Sequence, residues 1–349
     1  MRRRVWLIGG IACGLLLLVA CAESSPALKE PAKPAAPAPA PAPAAAPKPA
    51  EPAAKPAQPA AAPKPAQPAK PAAEKAPAGT VVWNLPSIYN PSDYQYTVIQ
   101  QFVTKVKEKS GGRFEIRHHA GSSLYGAFDI PVALLDGRVE VAHMSGWAIT
   151  DSKPHLAVSD LPYTSQTEPE GRKVVEALIP YYKRELEKLN LVYLFVEPWP
   201  AQNLFTAKDP VRTVDEWKGK KIRSYSVDSA GLVRALGGSP VTIPSGELYV
   251  GMQRGLAEGA VTSTMFIHST KTYEVIKYAN LWQWNAAPND MIAVHKKHWD
   301  ALPADLRKVI TDVIAEEKIQ EKVWELHSQG NANALKFIAD QGVQRVDIA

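Results

Sequence analysis

An α/β architecture in two lobes is the fold class this sequence predicts, and three observations predict it. Strand-like and helix-like stretches alternate from Val81 onward, a pattern that calls for sheets covered by helices. The segment carrying the alternation, residues 80–349, is longer than one compact core usually takes. Composition sets it apart from what precedes it. Ala22 to Gly79 is mostly Ala, Pro and Lys, holds 17 of the 31 prolines and has no aromatic residue. Such a stretch cannot bury enough apolar surface to offset its ordering entropy, so it is expected to be an extended tether.

The elements follow in order. Val81-Val82-Trp83-Asn84-Leu85 reads as a strand. Tyr94 to Lys109 reads as a helix with Val98, Ile99, Phe102, Val103 and Val106 on one face, closed by Gly111-Gly112. A strand is expected at Phe114 to His118, a helix at Ile130 to Leu135 and a strand at Val139 to Met144. Glu168 to Leu189 reads as a helix opened by Pro169 and interrupted at Pro180, and Leu191 to Val196 as a strand. Thr213 with Glu216 three residues on forms a capping box for one short turn. The strand-like Gly219 to Arg223 comes next, then a helix from Asp228 to Leu236 closed by Gly237-Gly238. Near the end Pro303 is expected at a helix N1 position, with Leu306, Val309, Ile310, Val313 and Ile314 as the buried face.

Enzyme chemistry has no constellation behind it. The Gly-x-Ser-x-Gly elbow, His-Glu-x-x-His, the Walker loop and the dinucleotide glycine fingerprint are all missing, so neither catalysis nor a cofactor is expected. His118-His119 point to opposite sides of a strand, His295 and His298 flank two lysines, and His143, His155, His268 and His327 stand alone. Each histidine is therefore read as a surface or capping residue, and no metal site is expected.

Arg223 keeps more informative company. It ends Gly219-Lys220-Lys221-Ile222-Arg223, follows Thr213 to Trp217, and precedes Pro240 to Pro244, Ser245-Gly246-Glu247-Leu248-Tyr249 and Met252 to Gly259. Outside this centre lie Ser110-Gly111-Gly112-Arg113, Ala120 to Leu124, Ser159-Asp160-Leu161-Pro162-Tyr163, Lys271 to Val275 and Lys296 to Pro303. In this order and spacing the chain from Val81 onward resembles the solute receptors of TRAP transporters, the tripartite ATP-independent periplasmic carriers of organic acids. The resemblance implies an α/β, two-lobed periplasmic-binding-protein-like fold with the ligand cleft between the lobes and long C-terminal helices. It implies lobe I at about 80–203 and 290–349 and lobe II at about 204–289, with crossings near 200–205 and 285–290. It also implies that Arg223 grips a ligand carboxylate. The cleft wall implied by the same motifs is Trp83 (or the Tyr89-Asn90 loop), Ser145, Trp147, Asn203, Thr262, Thr264, Phe266 and Trp284.

Two departures from the family pattern bear on the ligand. Asn203 stands where many members carry a second Arg, and Thr262 stands where many carry an Asn contact. One Arg in place of two points away from dicarboxylates and sialic acid and toward an aromatic or branched monocarboxylate.

The N-terminus says where the chain works. Arg2, Arg3 and Arg4 precede an apolar stretch, Val5 to Val19, that is too short to span a bilayer. Leu18-Val19-Ala20-Cys21 resembles a bacterial lipobox. Residues 1–20 are thus expected to be a lipoprotein signal peptide, Cys21 the lipidated residue, and 21–79 the tether. Cys13 leaves with the signal and Cys21 is acylated, so no disulfide or cysteine metal site is expected. Loss of the three leader arginines takes most of the formal net charge of +5, so the basicity implies no nucleic-acid partner. The expected partners are a small-molecule organic acid, the TRAP permease membrane subunits and, through the anchor, a membrane; the expected location is extracytoplasmic, in the periplasm or at the cell surface. A sensory or scavenging lipoprotein would need the same cleft, and a periplasmic enzyme is a third reading.

Overall fold

The computed structural model describes residues 79–348. The expected signal peptide, Cys21 and nearly all of the 21–79 tract lie outside the described residues.

The first part of the chain alternates as its hydrophobic pattern dictates. Strand β1 (Val81–Pro86) is followed by α1 (Tyr94–Lys109), β2 (Phe114–His119), α2 (Asp129–Leu135), β3 (Val141–Ser145), α3 (Glu168–Lys188) and β4 (Leu191–Pro198). Helix α1 buries Val98, Ile99, Phe102, Val103 and Val106, the face its period requires. It ends in a Schellman turn: Gly112 N donates to Lys107 O and Gly111 N to Glu108 O, with both glycines at positive φ. Helix α3 opens with a capping box between Thr167 and Glu170. It then runs through Pro180 without interruption, contrary to the sequence reading. Pro180 removes one backbone donor, and the rest of the ladder of this 21-residue helix carries the segment past it.

The second part holds β5 (Gln202–Thr206), β6 (Lys221–Ser224), α4 (Val227–Ala235), β7 (Ser239–Thr242), α5 (Leu248–Gln253), β8 (Gly259–Ser263), α6 (Thr264–Ser269) and β9 (Tyr278–Asn285). The chain closes with β10 (Asn289–His295), α7 (Lys296–Ala301), α8 (Ala304–Glu316), α9 (Ile319–Asp340) and β11 (Gln344–Val346). Pro303 is the N-cap of α8 rather than its first helical residue. Leu306, Ile310 and Val313 are buried there, and Val309 and Ile314 pack against the core from its edge.

Three sheets organise these strands. β1 and β2 pair in parallel, β3-β10-β4 form a three-stranded sheet, and β11-β9-β5-β8-β6-β7 form a six-stranded sheet. The chain passes from the three-stranded sheet to the six-stranded one at Trp199-Pro200-Ala201 and returns at Ala286-Ala287-Pro288. A hydrogen bond from Trp199 N to Pro288 O (2.6 Å) ties the two crossings together. There is also a third crossing. Helix α9 packs on α1 and on α6, and β11 then joins the six-stranded sheet beside β9. The C-terminal residues therefore do not all stay in the first lobe, as the expected 290–349 boundary had them. Among the described residues no helix is long and apolar enough to cross a membrane.

Strand β5 pairs with β9 across a wide irregularity. Gln202 faces Asn285 and Leu204 faces Asn280, so β9 loops out between them, with Gln283 at φ 45°. The loop throws Trp282 and Trp284 onto Trp217, with ring centroids 5.6 and 6.2 Å apart. These three anchor a second apolar cluster with Leu204, Val211, Ile222, Val233 and Val261.

Candidate ligand cleft

A cavity of about 410 Å³, counted out to its mouth, lies where the two larger sheets meet. The first lobe supplies Ile88 after β1, Trp147 after β3, and Asp160 at the end of the 3-10 turn Pro154–Asp160. The crossing segments supply Trp199 and Pro288. The second lobe supplies Gln202, Arg223, Tyr225, Ser245, Thr262, Ser263 and Phe266, all at strand ends or just beyond them. The walls touch at an edge-to-face contact between Trp147 and Tyr225, with centroids 5.8 Å apart.

Arg223 is 1% exposed. It sits on β6 between β7 and β8, and its neighbours hold the guanidinium in place. Nε donates to Ile243 O (2.9 Å), Nη1 to Val261 O (3.3 Å) and Nη2 to Ser245 Oγ (3.4 Å), and the head lies 5.9 Å from the Tyr225 ring centroid. A guanidinium has five N–H donors in a rigid fork. Two remain for another acceptor, and among the described residues no carboxylate pairs with Arg223. Burial pulls its pKa down to about 10, which leaves it cationic at neutral pH. Asp160 is 6% exposed and its Oδ2 has no hydrogen-bond partner. Burial, then the nearby Asp290 and Asp228, hold its carboxyl well above the usual carboxylate range.

Of the residues expected at the site, Arg223, Trp147, Thr262 and Phe266 line the cavity together. The other five do not. Asn203 spends its amide on the β9 irregularity: Oδ1 accepts from Gln283 N (2.8 Å) and Nδ2 donates to Ala201 O (3.1 Å). Its neighbour Gln202 lines the cavity instead, with Nε2 donating to Pro200 O. Trp284 belongs to the Trp217 cluster, and Trp83 packs edge-on against Phe114 at 4.9 Å. Ser145 Oγ lies 3.0 Å from His143 Nε2 behind the wall, and Thr264 is buried in the first turn of α6.

Several lining residues were missed. Asp160 lies in the Ser159-Asp160-Leu161-Pro162-Tyr163 stretch, where no local pattern marks its side chain as a cavity contact. Trp199 had a usable signal, because it lies between Pro198 and Pro200 at an expected crossing. Its indole Nε1 donates to Asp290 Oδ2 (2.6 Å), and its carbonyl lies 3.2 Å from His327 Nε2 on α9. All three crossings thus meet at one cavity-lining residue, through its backbone N–H and carbonyl. His143 Nε2 lies 2.7 Å from the same Asp290 oxygen. His143 and His327 are therefore buried, not the surface or capping residues expected. His118 is held by Ser87 and Gln100, and burial takes its pKa down to about 4. Among the described residues no group of three or more His, Cys, Asp or Glu could hold a metal ion.

Comparison with known proteins gives the cleft a context. The family model described as "Bacterial extracellular solute-binding protein, family 7" matches residues 87–349. A solute-binding protein of Chromohalobacter salexigens is 24% identical over 265 residues, 75% of this chain and 78% of its own. Among solved structures, a Bordetella pertussis extracytoplasmic solute receptor binding pyroglutamic acid has 26% identity and a TM-score of 0.73, over 77% of this chain and 88% of its own. A TRAP periplasmic solute-binding protein from Sulfitobacter, with bound β-D-galacturonate, has 22% identity and a TM-score of 0.72, over 76% of this chain and 89% of its own, and shares the fold.

Proposed function

The chain belongs to the bacterial extracellular solute-binding proteins of family 7, and on that premise we propose that Arg223 binds the carboxylate of an organic acid, which the receptor hands to a TRAP-type membrane permease. One observation carries this reading. Arg223 is buried in the inter-lobe cavity, fixed by three hydrogen bonds, with two donors unspent and no acid of its own. An unpaired buried cation is expensive, and a carboxylate accepting two parallel bonds offsets that expense.

The ligand we propose is a monocarboxylate with an aromatic or branched body. Asn203 is neutral and engaged elsewhere, so the cavity wall carries one guanidinium. Ile88, Trp147, Trp199, Phe266 and Pro288 offer apolar surface, and each fully covered ring or branched group contributes on the order of 1.5–3 kcal/mol. The pyroglutamic acid bound by the Bordetella pertussis receptor also carries a single carboxylate. Lipidation at Cys21 would hold the receptor at the membrane on its Ala/Pro-rich tether. A thermal-shift screen of mono- and dicarboxylic acids, followed by mass spectrometry of any co-purified ligand, tests this function. Aromatic or branched monoacids should raise the melting temperature; a shift confined to dicarboxylates would reject the ligand class.

A further inference from the structure

The cavity that holds Arg223 is also lined by one carboxyl group, that of Asp160. Asp160 comes from the first lobe and Arg223 from the second, and both line the same cavity. Asp160 is more than nine-tenths buried, and its Oδ2 meets no donor. Among the described residues no ion pair joins the two side chains. The Tyr225 ring lies between their influences: burial raises its hydroxyl pKa most, Asp160 raises it further, and Arg223 lowers it. A carboxyl placed in an apolar wall without a partner is unfavourable in the empty receptor. A residue kept there at that expense points to a partner supplied from outside.

We propose that Asp160 is a specificity-determining contact that accepts a hydrogen bond from the ligand, so that the ligand is a monocarboxylic acid bearing a donor (hydroxyl, amide N–H or ammonium) at the end remote from Arg223. This rests on Arg223 taking the carboxylate. Acids with the same body but no donor leave Asp160 buried and unpaired. Sites built to hydrogen-bond a substrate group reject analogues that lack it far more strongly than apolar pockets reject a missing methylene. The bond also crosses from one lobe to the other, so the two ends of a single small ligand would hold the two lobes together.

Calorimetry on the folded receptor with matched acids tests the proposal. The pairs are 3-(4-hydroxyphenyl)propionate against hydrocinnamate and 6-hydroxyhexanoate against hexanoate, with 6-aminohexanoate as the ammonium arm. Wild type should bind the donor-bearing member of a pair roughly 10- to 100-fold more tightly. In Asp160→Ala that preference should shrink to within about threefold, with the donor-free acid bound as well as before. Asp160→Asn, which keeps the size and an accepting oxygen, should retain part of the preference and melt no lower than wild type. Arg223→Ala should weaken both members of every pair alike. Equal wild-type affinities within a pair, or a preference that survives in Asp160→Ala, overturns the role of Asp160 and leaves the carboxylate reading standing. If no acid of the set binds, or if Arg223→Ala binds them undiminished, the carboxylate reading falls and this inference falls with it.

Discussion

Replacing Trp199 by Phe probes the point where the three crossings and the cavity wall meet. The indole Nε1 donates to Asp290 Oδ2 at 2.6 Å, and Asp290 is fully buried with Oδ1 already unpartnered. Without the indole, Oδ2 keeps only His143 Nε2 at 2.7 Å and a long contact to Tyr89 Oη at 3.5 Å. Losing a donor to a buried carboxyl costs about 1–3 kcal/mol. The smaller ring leaves a gap that adds about 1 kcal/mol. The total is about 2–4 kcal/mol, and for a domain of this size each kcal/mol lowers the melting temperature by about 2–4 °C. Scanning calorimetry of Trp199→Phe should therefore show a fall of about 4–16 °C. A double-mutant cycle with Asp290→Asn should show a coupling of at least about 0.5 kcal/mol, because the two residues share the bond. A melting temperature within about 1 °C of wild type, or additive effects in the cycle, would refute the idea that this bond secures the crossing.

Three further outcomes are expected. Burial lifts the Asp93 carboxyl from 3.8 to about 6, so the folded state holds its proton more tightly than the unfolded chain; the stability this gives is full below about pH 4 and is lost as pH rises through about 6. Asp93→Asn should then be more stable than wild type near neutral pH by up to about 3 kcal/mol, with the gain vanishing toward about pH 4 in urea titrations, whereas a pH-independent difference would rule this out. A Cβ on Gly146 would run into the Leu156 carbonyl, so Gly146→Ala should destabilise by about 1–3 kcal/mol and weaken ligand binding by displacing the adjacent Trp147; a variant with wild-type melting and affinity would contradict the close approach. Cys21→Ser should shift the mature protein out of the membrane fraction or stall its precursor, and a wild-type protein found wholly soluble with an unmodified terminus would count against lipidation.

Local physics made much of the fold legible. Helix α1 follows from its apolar period, its end from two glycines that tolerate positive φ, and the turn at Val214–Trp217 from its capping box. The third crossing was not legible, because β11 is three residues long and a single long helix does not reveal that its two ends serve different lobes. At the site, Arg223 could be placed because a run of ordered motifs surrounds it. Asn203 and Trp284 could not, because both answer to the irregular pairing of β5 and β9, which joins residues some 80 positions apart and leaves no local trace. The family resemblance implied Trp284 on the cleft wall, whereas its ring packs on Trp217, far away in sequence. His143 and Asp290 likewise meet only through the antiparallel pairing of β3 with β10.

The central claim, that Arg223 grips a carboxylate in the inter-lobe cavity, is tested most directly by titrating a bound monocarboxylate into wild type and Arg223→Ala by calorimetry, with circular dichroism as a check on folding. Removing one partner of a buried charge-assisted pair costs about 2–5 kcal/mol, so the dissociation constant should rise roughly 30- to 4,000-fold. Arg223→Lys should recover little, since a single ammonium cannot reproduce the two parallel bonds of the fork. A folded Arg223→Ala variant that binds the same acid with unchanged affinity would contradict the account.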